Sequence, residues 1–180
     1  MKGEINQVKS SEKVPEVFLR AMEPEDLDLL YEIENDQSLW KVGVTNVPYS
    51  RYTLRDYIAH TTGDIYADRQ MRLMIEDSEH QTVGILDLIN FEPQHLRAEV
   101  GIVILEPFRH QGLATAALEY MKRYAREVVH LHQLYAYIQP ENEESLRLFQ
   151  RVGFENGAIL KDWLYDSRGY HTVCFMQFFF

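Results

Sequence analysis

The chain turns from a strand into a helix at the stretch Phe108-Arg109-His110-Gln111-Gly112-Leu113-Ala114-Thr115-Ala116-Ala117-Leu118. An apolar run ends just before it, at Leu105, and a helical pattern extends from it to Val128. The first turn of a helix has backbone N–H groups without partners and the positive end of the helix dipole. Gly112 has no Cβ to keep an anion away from these groups, and the guanidinium of Arg109 suits phosphate oxygens. The stretch therefore predicts a phosphate-binding turn at a helix N-terminus.

Two common phosphate-binding motifs do not fit this turn. The P-loop ends in Gly-Lys followed by Ser or Thr, and the dinucleotide fingerprint has three glycines. Gly112 is the one glycine of the stretch. Neither a nucleoside triphosphate nor a nicotinamide cofactor is therefore favoured.

The composition is that of a globular protein with an excess of acidic residues. The chain has 180 residues, enough to bury a core, and its hydrophobic content of 46% is ordinary. The formal net charge of -10 opposes nucleic acid as the main partner, because binding to the phosphate backbone needs a basic surface. The same charge is compatible with a cationic substrate.

No apolar run approaches the roughly 18 residues of a membrane-spanning helix, so no membrane partner is expected. The polar segment Met1–Lys13 lacks the apolar stretch of a signal peptide. Cys174 is the one cysteine of the chain, which excludes an internal disulfide. We expect a cytoplasmic protein in which residues 1–16 form a flexible tail and residues 17–180 form a single domain.

The pattern of apolar and turn residues predicts the order strand, two helices, three strands, helix, strand, helix, two strands. The helices are expected to begin at Pro24, at a capping box from Thr53 to Asp56, at Leu113 and at Asn142. The mixture indicates an α/β (α+β) domain. The predicted strands cover residues 17–20, 69–76, 82–90, 97–105, 134–138, 154–165 and 170–180.

Four stretches carry a resemblance to a known family: Ala98–Ile104, Arg109–Thr115, Asn142–Ser145 and Leu148–Phe154. In order and spacing they resemble the GNAT family of acetyl-coenzyme A-dependent N-acetyltransferases, over roughly residues 17–176. The chain looks most like the branch of ribosomal-protein and spermidine acetyltransferases. The resemblance implies a GNAT-like acyl-coenzyme A N-acyltransferase fold, with a mixed, mostly antiparallel sheet of about seven strands flanked by four helices.

The resemblance assigns acetyl-coenzyme A to the phosphate-binding turn and the strand before it. Main-chain groups of Ile102, Val103 and Ile104 would bind the pantetheine arm, where the central sheet of the family splays apart. Arg109 would lie beside the pyrophosphate, and His110 either contacts a phosphate or faces water. The pyrophosphate would lie on the backbone of Gln111, Gly112, Leu113, Ala114 and Thr115.

A second group of coenzyme contacts is implied at the start of the last helix. Asn142 would hydrogen-bond the pantetheine, with Ser145 near it. Asn142 equally suits the N-cap of that helix. An ordinary core strand is likewise compatible with the residue types of Ile102 to Ile104.

Acetyl transfer to an amine needs a base, because an alkylamine has a pKa near ~10.4 and must lose a proton before it attacks. Glu99 is the first candidate, directly or through water, since burial beside the coenzyme would raise its pKa; an exposed carboxylate at the strand end is the alternative. Asp87 is the second candidate, in an apolar strand where it faces either a cleft or solvent. Glu34 and Asp36 are candidates for binding cationic groups of the substrate, against the alternative of a solvated helix face.

The general acid is where the chain departs from its relatives. Many members of the family carry a tyrosine four residues before the glycine of Leu148–Phe154, and this tyrosine protonates the coenzyme thiolate. The chain has Phe149 there, so the role is vacant, moved or unnecessary. Two classes of function therefore stay open: an N-acetyltransferase, acting on a polyamine such as spermidine or on a protein N-terminus, and an acyl-coenzyme A-binding module without catalysis.

Metal chemistry is not expected. His130 and His132 are two residues apart, but no acidic or cysteine ligand stands near them. Cys174 is expected to be an inert thiol, because the transfer needs no covalent enzyme intermediate. A homo-oligomer is left open, since the aromatic end Phe178–Phe180 suits either a subunit contact or the core of its own chain.

Overall fold

Seven strands form one sheet in the order β1-β2-β3-β4-β5-β7-β6. The computed structural model describes residues 14–37, 39, 47–166 and 169–180. Neighbouring strands are antiparallel except β4 and β5, which are parallel. The predicted mixed, mostly antiparallel sheet is confirmed. The strands are β1 (Phe18–Ala21), β2 (Met71–Glu76), β3 (Thr82–Glu92), β4 (Arg97–Ile104), β5 (Gln133–Ile138), β6 (Glu155–Asp166) and β7 (Gly169–Phe179).

The described residues contain one α-helix more than the four predicted. The additional helix, α3, has only four residues, too few to show a helical period in the sequence. It forms because Asp64 accepts a hydrogen bond from the N–H of Tyr66 (2.8 Å) and because Ile65 is buried in the core. The helices are α1 (Leu27–Asn35), α2 (Arg51–His60), α3 (Ile65–Asp68), α4 (Leu113–Glu127) and α5 (Glu143–Arg151).

The start of α2 differs from the prediction. Ser50 is the N-cap, and its side chain accepts a hydrogen bond from the N–H of Thr53 at 3.0 Å. Thr53 therefore lies inside the first turn. The sequence offered two hydroxyl residues three positions apart, and either could have capped the helix.

The helices cover both faces of the sheet. On one face, α4 and α5 bury Leu118, Met121 and Phe149 against the large core cluster. On the other face, α1 buries Ile33 against a smaller cluster that includes Met74 of β2. In the described part of the chain, no helix is long and apolar enough to cross a membrane. Of the predicted tail, residues 1–13 lie outside the description.

Candidate functional site

The parallel strands β4 and β5 stay together for only three residue pairs, of which Glu99 with Tyr135 is the last. Beyond this pair, β4 continues to Ile104 with β3 as its partner, and β5 continues to Ile138 with β7 as its partner. The two strands therefore diverge. Main-chain N–H and C=O groups on their facing edges have no strand partner within the described sheet, and such an edge can bind the amides of an extended ligand.

A cleft of about 740 Å³ opens at this divergence. Residues of β2, β3, β4 and β5 line it, together with residues from α1, α2 and α5. The cleft thus joins the gap between the strands to the face of the sheet that α1 covers. The lining side chains that can take part in acid–base or polar chemistry include Glu34, Tyr57, Arg72, Asp87, Glu99, Tyr137 and Ser145.

Glu99 lies at the vertex of the divergence and lines the cleft. Its carboxylate accepts a hydrogen bond from Nδ2 of Asn90 at 2.8 Å. Burial raises the pKa of Glu99 above its ordinary value, and the bond from Asn90 acts in the opposite direction. A carboxylate with a raised pKa and a neutral partner is suited to accept a proton near neutral pH.

Tyr135 and Tyr137 stand beside Glu99 on the same face of the sheet. Burial, reinforced by the charge of Glu99, raises the pKa of Tyr135 to about 12. The pKa of Tyr137 is also raised, for the same reasons. Both hydroxyl groups therefore remain protonated at neutral pH and can donate hydrogen bonds. Tyr137 lines the cleft.

Asp87 is held by the guanidinium of Arg72. Nε and Nη2 of Arg72 donate to the two carboxylate oxygens of Asp87 at 2.7 and 2.8 Å, and Nη1 donates to Glu34 of α1. Burial alone would lower the pKa of Arg72, but the two carboxylates raise it above its ordinary value. Since both oxygens of Asp87 face a guanidinium, the geometry favours Glu99 over Asp87 as a base. Both assignments stay predictions.

The two residues predicted to bind the substrate lie in different surroundings. Glu34 lines the cleft, and 17% of its side chain is exposed, next to Arg72. Asp36 directly follows α1, where its N–H bonds to the carbonyl of Ile33. It is exposed and does not contribute to the lining of the cleft. The structure thus brings Glu34 together with Asp87 and Glu99, and leaves Asp36 apart.

The phosphate-binding turn has the conformation that its glycine suggests. Gly112 is the N-cap of α4 with φ +82°, and no side chain caps the helix. Nε of Arg109 donates to the carbonyl of Ile104 at 3.0 Å, which ties the turn to the end of β4. Nε2 of Gln111 donates to the carbonyl of Pro107 at 3.2 Å. The turn lies outside the lining of the cleft, at the end of the strand that leads away from it. Its exposed residues are Arg109, His110, Gln111 and Gly112.

Asn142, Ser145 and Phe149 follow one face of α5 and all line the cleft. Asn142 is the N-cap, and its Oδ1 accepts a hydrogen bond from the N–H of Ser145 at 3.2 Å. Phe149 is only 4% exposed, and its ring meets Phe154 edge to face at 4.9 Å. The N-cap role of Asn142 is therefore real, and contact with a ligand in the cleft is compatible with it.

Arg72, Asn90 and Tyr137 were not among the predicted site residues. Arg72 had a usable signal, because it is a charged residue in the otherwise apolar run Met71–Ile75. Asn90 and Tyr137 had no such signal, since their positions in the site depend on which strands become neighbours in the sheet. In the described residues, no group of three or more His, Cys, Asp and Glu side chains could hold a metal ion.

The chain is similar to known acetyltransferases. A profile of the acetyltransferase (GNAT) domain matches residues 16–155. The spermidine N(1)-acetyltransferase of Escherichia coli (strain K12) is 27% identical over 168 residues, covering 89% of this chain and 86% of the relative. A candidate ribosomal N-acetyltransferase of Bacillus subtilis (strain 168) is 29% identical over 166 residues, covering 88% of each.

Solved structures show the same fold. The spermidine N-acetyltransferase of Vibrio cholerae, crystallised with CoA and spermine, superposes with a TM-score of 0.83 at 22% identity. The superposition covers 91% of this chain and 95% of that protein.

Proposed function

The chain belongs to the family of GNAT acetyltransferases, and we propose that it transfers the acetyl group of acetyl-coenzyme A to a primary amine. The observation that carries the proposal is the divergence of β4 and β5 with Glu99 at its vertex. The divergence provides main-chain groups for an extended thioester. The vertex provides a proton acceptor beside it.

Acetyl-coenzyme A fits two features of this chain. Beyond Glu99, the stretch of β4 that contains Ile102, Val103 and Ile104 has one edge without a strand partner in the described sheet, and we propose that this edge binds the amides of the pantetheine arm. The carbonyl of Ile104 is already bonded to Arg109. The N-terminus of α4 follows directly, where the left-handed Gly112 leaves the first-turn N–H groups without a side-chain cap and open to a pyrophosphate. Asn142 and Ser145 of α5 would contact the arm from the other side of the cleft.

The proposed reaction is a direct attack. The amine nitrogen forms a bond to the carbonyl carbon of the acetyl group, the carbon–sulfur bond breaks, and the coenzyme departs as a thiolate. The proton of the amine passes to Glu99, directly or through water. Cys174 takes no part, because this half-buried thiol lies on β7 and does not line the cleft.

The leaving group has no tyrosine on α5 to protonate it. Phe149 occupies the cleft side of that helix and has no proton to donate. If thiols with a pKa near ~8.5 are a guide, the thiolate of the coenzyme is a tolerable leaving group at neutral pH. We therefore propose that it leaves without an acid on α5.

The acceptor we propose is a cationic amine such as a polyamine. Among the described residues, the charged side chains that line the cleft are four carboxylates (Glu34, Asp68, Asp87 and Glu99) and two guanidinium groups (Arg69 and Arg72). This excess of negative charge attracts cations. The similarity to spermidine acetyltransferases supports the same class.

The direct test is mass spectrometry of amines incubated with the protein and acetyl-coenzyme A. The panel contains polyamines, amino acids and N-terminal peptides of ribosomal proteins. We expect an acetylated polyamine with release of one thiol per acetyl group. Stabilisation by the coenzyme without thiol release on any amine would instead identify a binding module. Acetylation confined to the peptides would identify a protein N-terminal acetyltransferase.

We also propose that residues 17–180 form a single domain that self-associates. β6 is an edge strand, and its exposed side chains include Ile159 and Trp163, at 69% and 53% exposure. A long edge strand with exposed apolar residues is a surface that proteins cover. Light scattering at several concentrations tests this, with Trp163→Lys as the variant expected to give the smaller species.

A further inference from the structure

We propose that Gly101 keeps open a channel for diamines, between Glu99 at one end and the cluster of Asp87, Arg72 and Glu34 at the other. The inference rests on the proposed function and deepens it. It names the residue that sets the shape of the acceptor and the group that binds its second positive charge.

Gly101 is unusual among the glycines of the described chain. Four of the others have a positive φ, which explains them by conformation: Gly63, Gly112, Gly153 and Gly169. At Gly84 a side chain would collide with the carbonyl of Val103, and at Gly157 it would collide with Gln177. A Cβ on Gly101 would meet only the Cβ of Asp87, at the ordinary distance of 3.9 Å.

Neither the backbone nor the packing therefore requires a glycine at this position. A glycine inside a strand lowers stability relative to alanine, because it loses more conformational freedom on folding. Such a residue often marks a place where a ligand approaches the backbone closely. Gly101 lines the cleft, so the space above it is open to a ligand.

The neighbours of Gly101 are the two carboxylates of the site. Asp87 lies directly opposite it on β3, and Glu99 lies two residues before it on the same face of β4. Asp87 and Glu99 are thus diagonal neighbours across an antiparallel pair of strands. The backbones of such neighbours are about 7–8 Å apart. The bare backbone of Gly101 forms the floor between them.

The end of the channel at Asp87 has room for a further hydrogen-bond donor. Arg72 binds both Asp87 and Glu34. Asp87 accepts two hydrogen bonds from Arg72, and a carboxylate offers about four acceptor positions. An ammonium group above Gly101 can therefore bind to Asp87 while the attacking amine lies at Glu99. A short diaminoalkane has two nitrogens at such a separation.

The test compares diaminobutane with butylamine, which has the same carbon chain and only one nitrogen. For the unmodified protein, we expect kcat/KM to favour the diamine by about tenfold or more, the effect of one hydrogen bond to a charged group. Gly101→Leu fills the channel and should remove this preference. Gly101→Ala, which fits sterically, should reduce it partly. Ala21→Leu, on the exposed edge strand β1 and away from the cleft, is the control for a larger side chain on a strand.

Calorimetric titration of diaminobutane into the coenzyme-bound protein separates this inference from the proposed function. If no amine is acetylated but Gly101→Leu and Gly101→Ala weaken diamine binding, the channel exists and the proposed function is wrong. If amines are acetylated and the unmodified protein does not favour the diamine, the channel is wrong. Unchanged diamine preference in both glycine variants would also overturn it.

Discussion

Glu99 and Tyr135 form the last pair of the parallel ladder between β4 and β5. The pair therefore marks the point where the sheet opens, with the carboxylate of Glu99 in the cleft and the hydroxyl of Tyr135 held protonated by burial and by that carboxylate. We propose this carboxylate as the proton acceptor, since it lies where an extended thioester would enter the sheet. The first predictions concern this acceptor.

Replacing the acceptor should reduce turnover and leave coenzyme binding intact. We expect Glu99→Gln to lower kcat/KM for the preferred amine by about 10²–10⁴-fold, the range for removal of a general base. The dissociation constant of coenzyme A, from calorimetry, should not change. Unchanged kcat/KM would exclude Glu99 as the base, and Asp87→Asn would then be the next variant.

The same variant should not lose stability at neutral pH. Burial raises the pKa of Glu99 in the folded state, so ionisation of this group weakens the fold as the pH rises through that pKa. Glutamine has no charge to ionise. We therefore expect Glu99→Gln to match or exceed the parent in the free energy of unfolding by urea at neutral pH. The difference should grow as the pH rises from acidic values to the raised pKa of Glu99, and stay constant above it.

Asn90 should set the pH dependence of the reaction. Its hydrogen bond stabilises the ionised form of Glu99 and so lowers the pKa of that group. Asn90→Gly removes the donor and keeps the left-handed backbone, since Asn90 has φ +51°. We expect the acidic limb of the kcat/KM profile to move to higher pH. A limb that stays in place would show that another group titrates there.

Gly112 should control the affinity for the coenzyme. A Cβ at this left-handed position is strained, costs roughly 1–2 kcal/mol in stability and would meet Pro15 at 3.2 Å. Gly63→Ala is the matched control, because it has a similar φ of +75° with open space around it. Gly112→Ala should lose at least as much stability as Gly63→Ala, because it also has the close contact with Pro15. Only Gly112→Ala should also weaken coenzyme binding, by about tenfold or more, since the anion can no longer approach the backbone.

Adding a hydroxyl group to α5 tests the need for an acid. We expect Phe149→Tyr to raise kcat by no more than about tenfold, because a thiolate with a pKa near ~8.5 leaves readily. Phe154→Tyr is the control, since this residue packs on Phe149 but does not line the cleft. Phe154→Tyr shows how much stability the protein loses when a hydroxyl group is buried without a partner, about 1–3 kcal/mol. A much larger gain in Phe149→Tyr would mean that the natural chain lacks an acid it needs.

Arg72 should matter for stability as well as for the acceptor. Its removal leaves Asp87 and Glu34 facing each other with only 16% and 17% of their side chains exposed. We expect Arg72→Ala to lose about 3–5 kcal/mol at neutral pH. Arg97→Ala breaks a pair with Glu92 that is about 40% exposed, and should lose much less stability. Equal losses in the two variants would contradict the role given to Arg72.

The elements of the fold were predictable because their signals are local. The run before Leu105, the turn at Gly112 and the apolar period of α4 follow one another in the sequence and need no distant partner. The four-residue helix α3 was missed for the complementary reason. Its existence depends on the burial of Ile65 against the core, and four residues have too little pattern to reveal it.

The candidate site was predicted only in part. Glu99 was predicted from its place beside the coenzyme, Asp87 from its apolar neighbours and Glu34 from the end of the first helix. All three line the cleft. Their partners were not found. Arg72 is separated from Glu34 by 38 positions in the sequence and from Asp87 by 15. Asn90, which bonds to Glu99, is nine positions away from it on the neighbouring strand.

The sequence by itself determined the strand–turn–helix unit around Gly112 and the succession of the seven strands along the chain, since these depend on neighbouring residues. It also determined the family, from four stretches in a characteristic order and spacing. The tertiary structure alone decided the divergence of β4 and β5 and which carboxylate faces a guanidinium. It also decided that Gly101 has open space above it. Each of these depends on strand register and on contacts between side chains of different strands. A local sequence pattern does not specify such contacts.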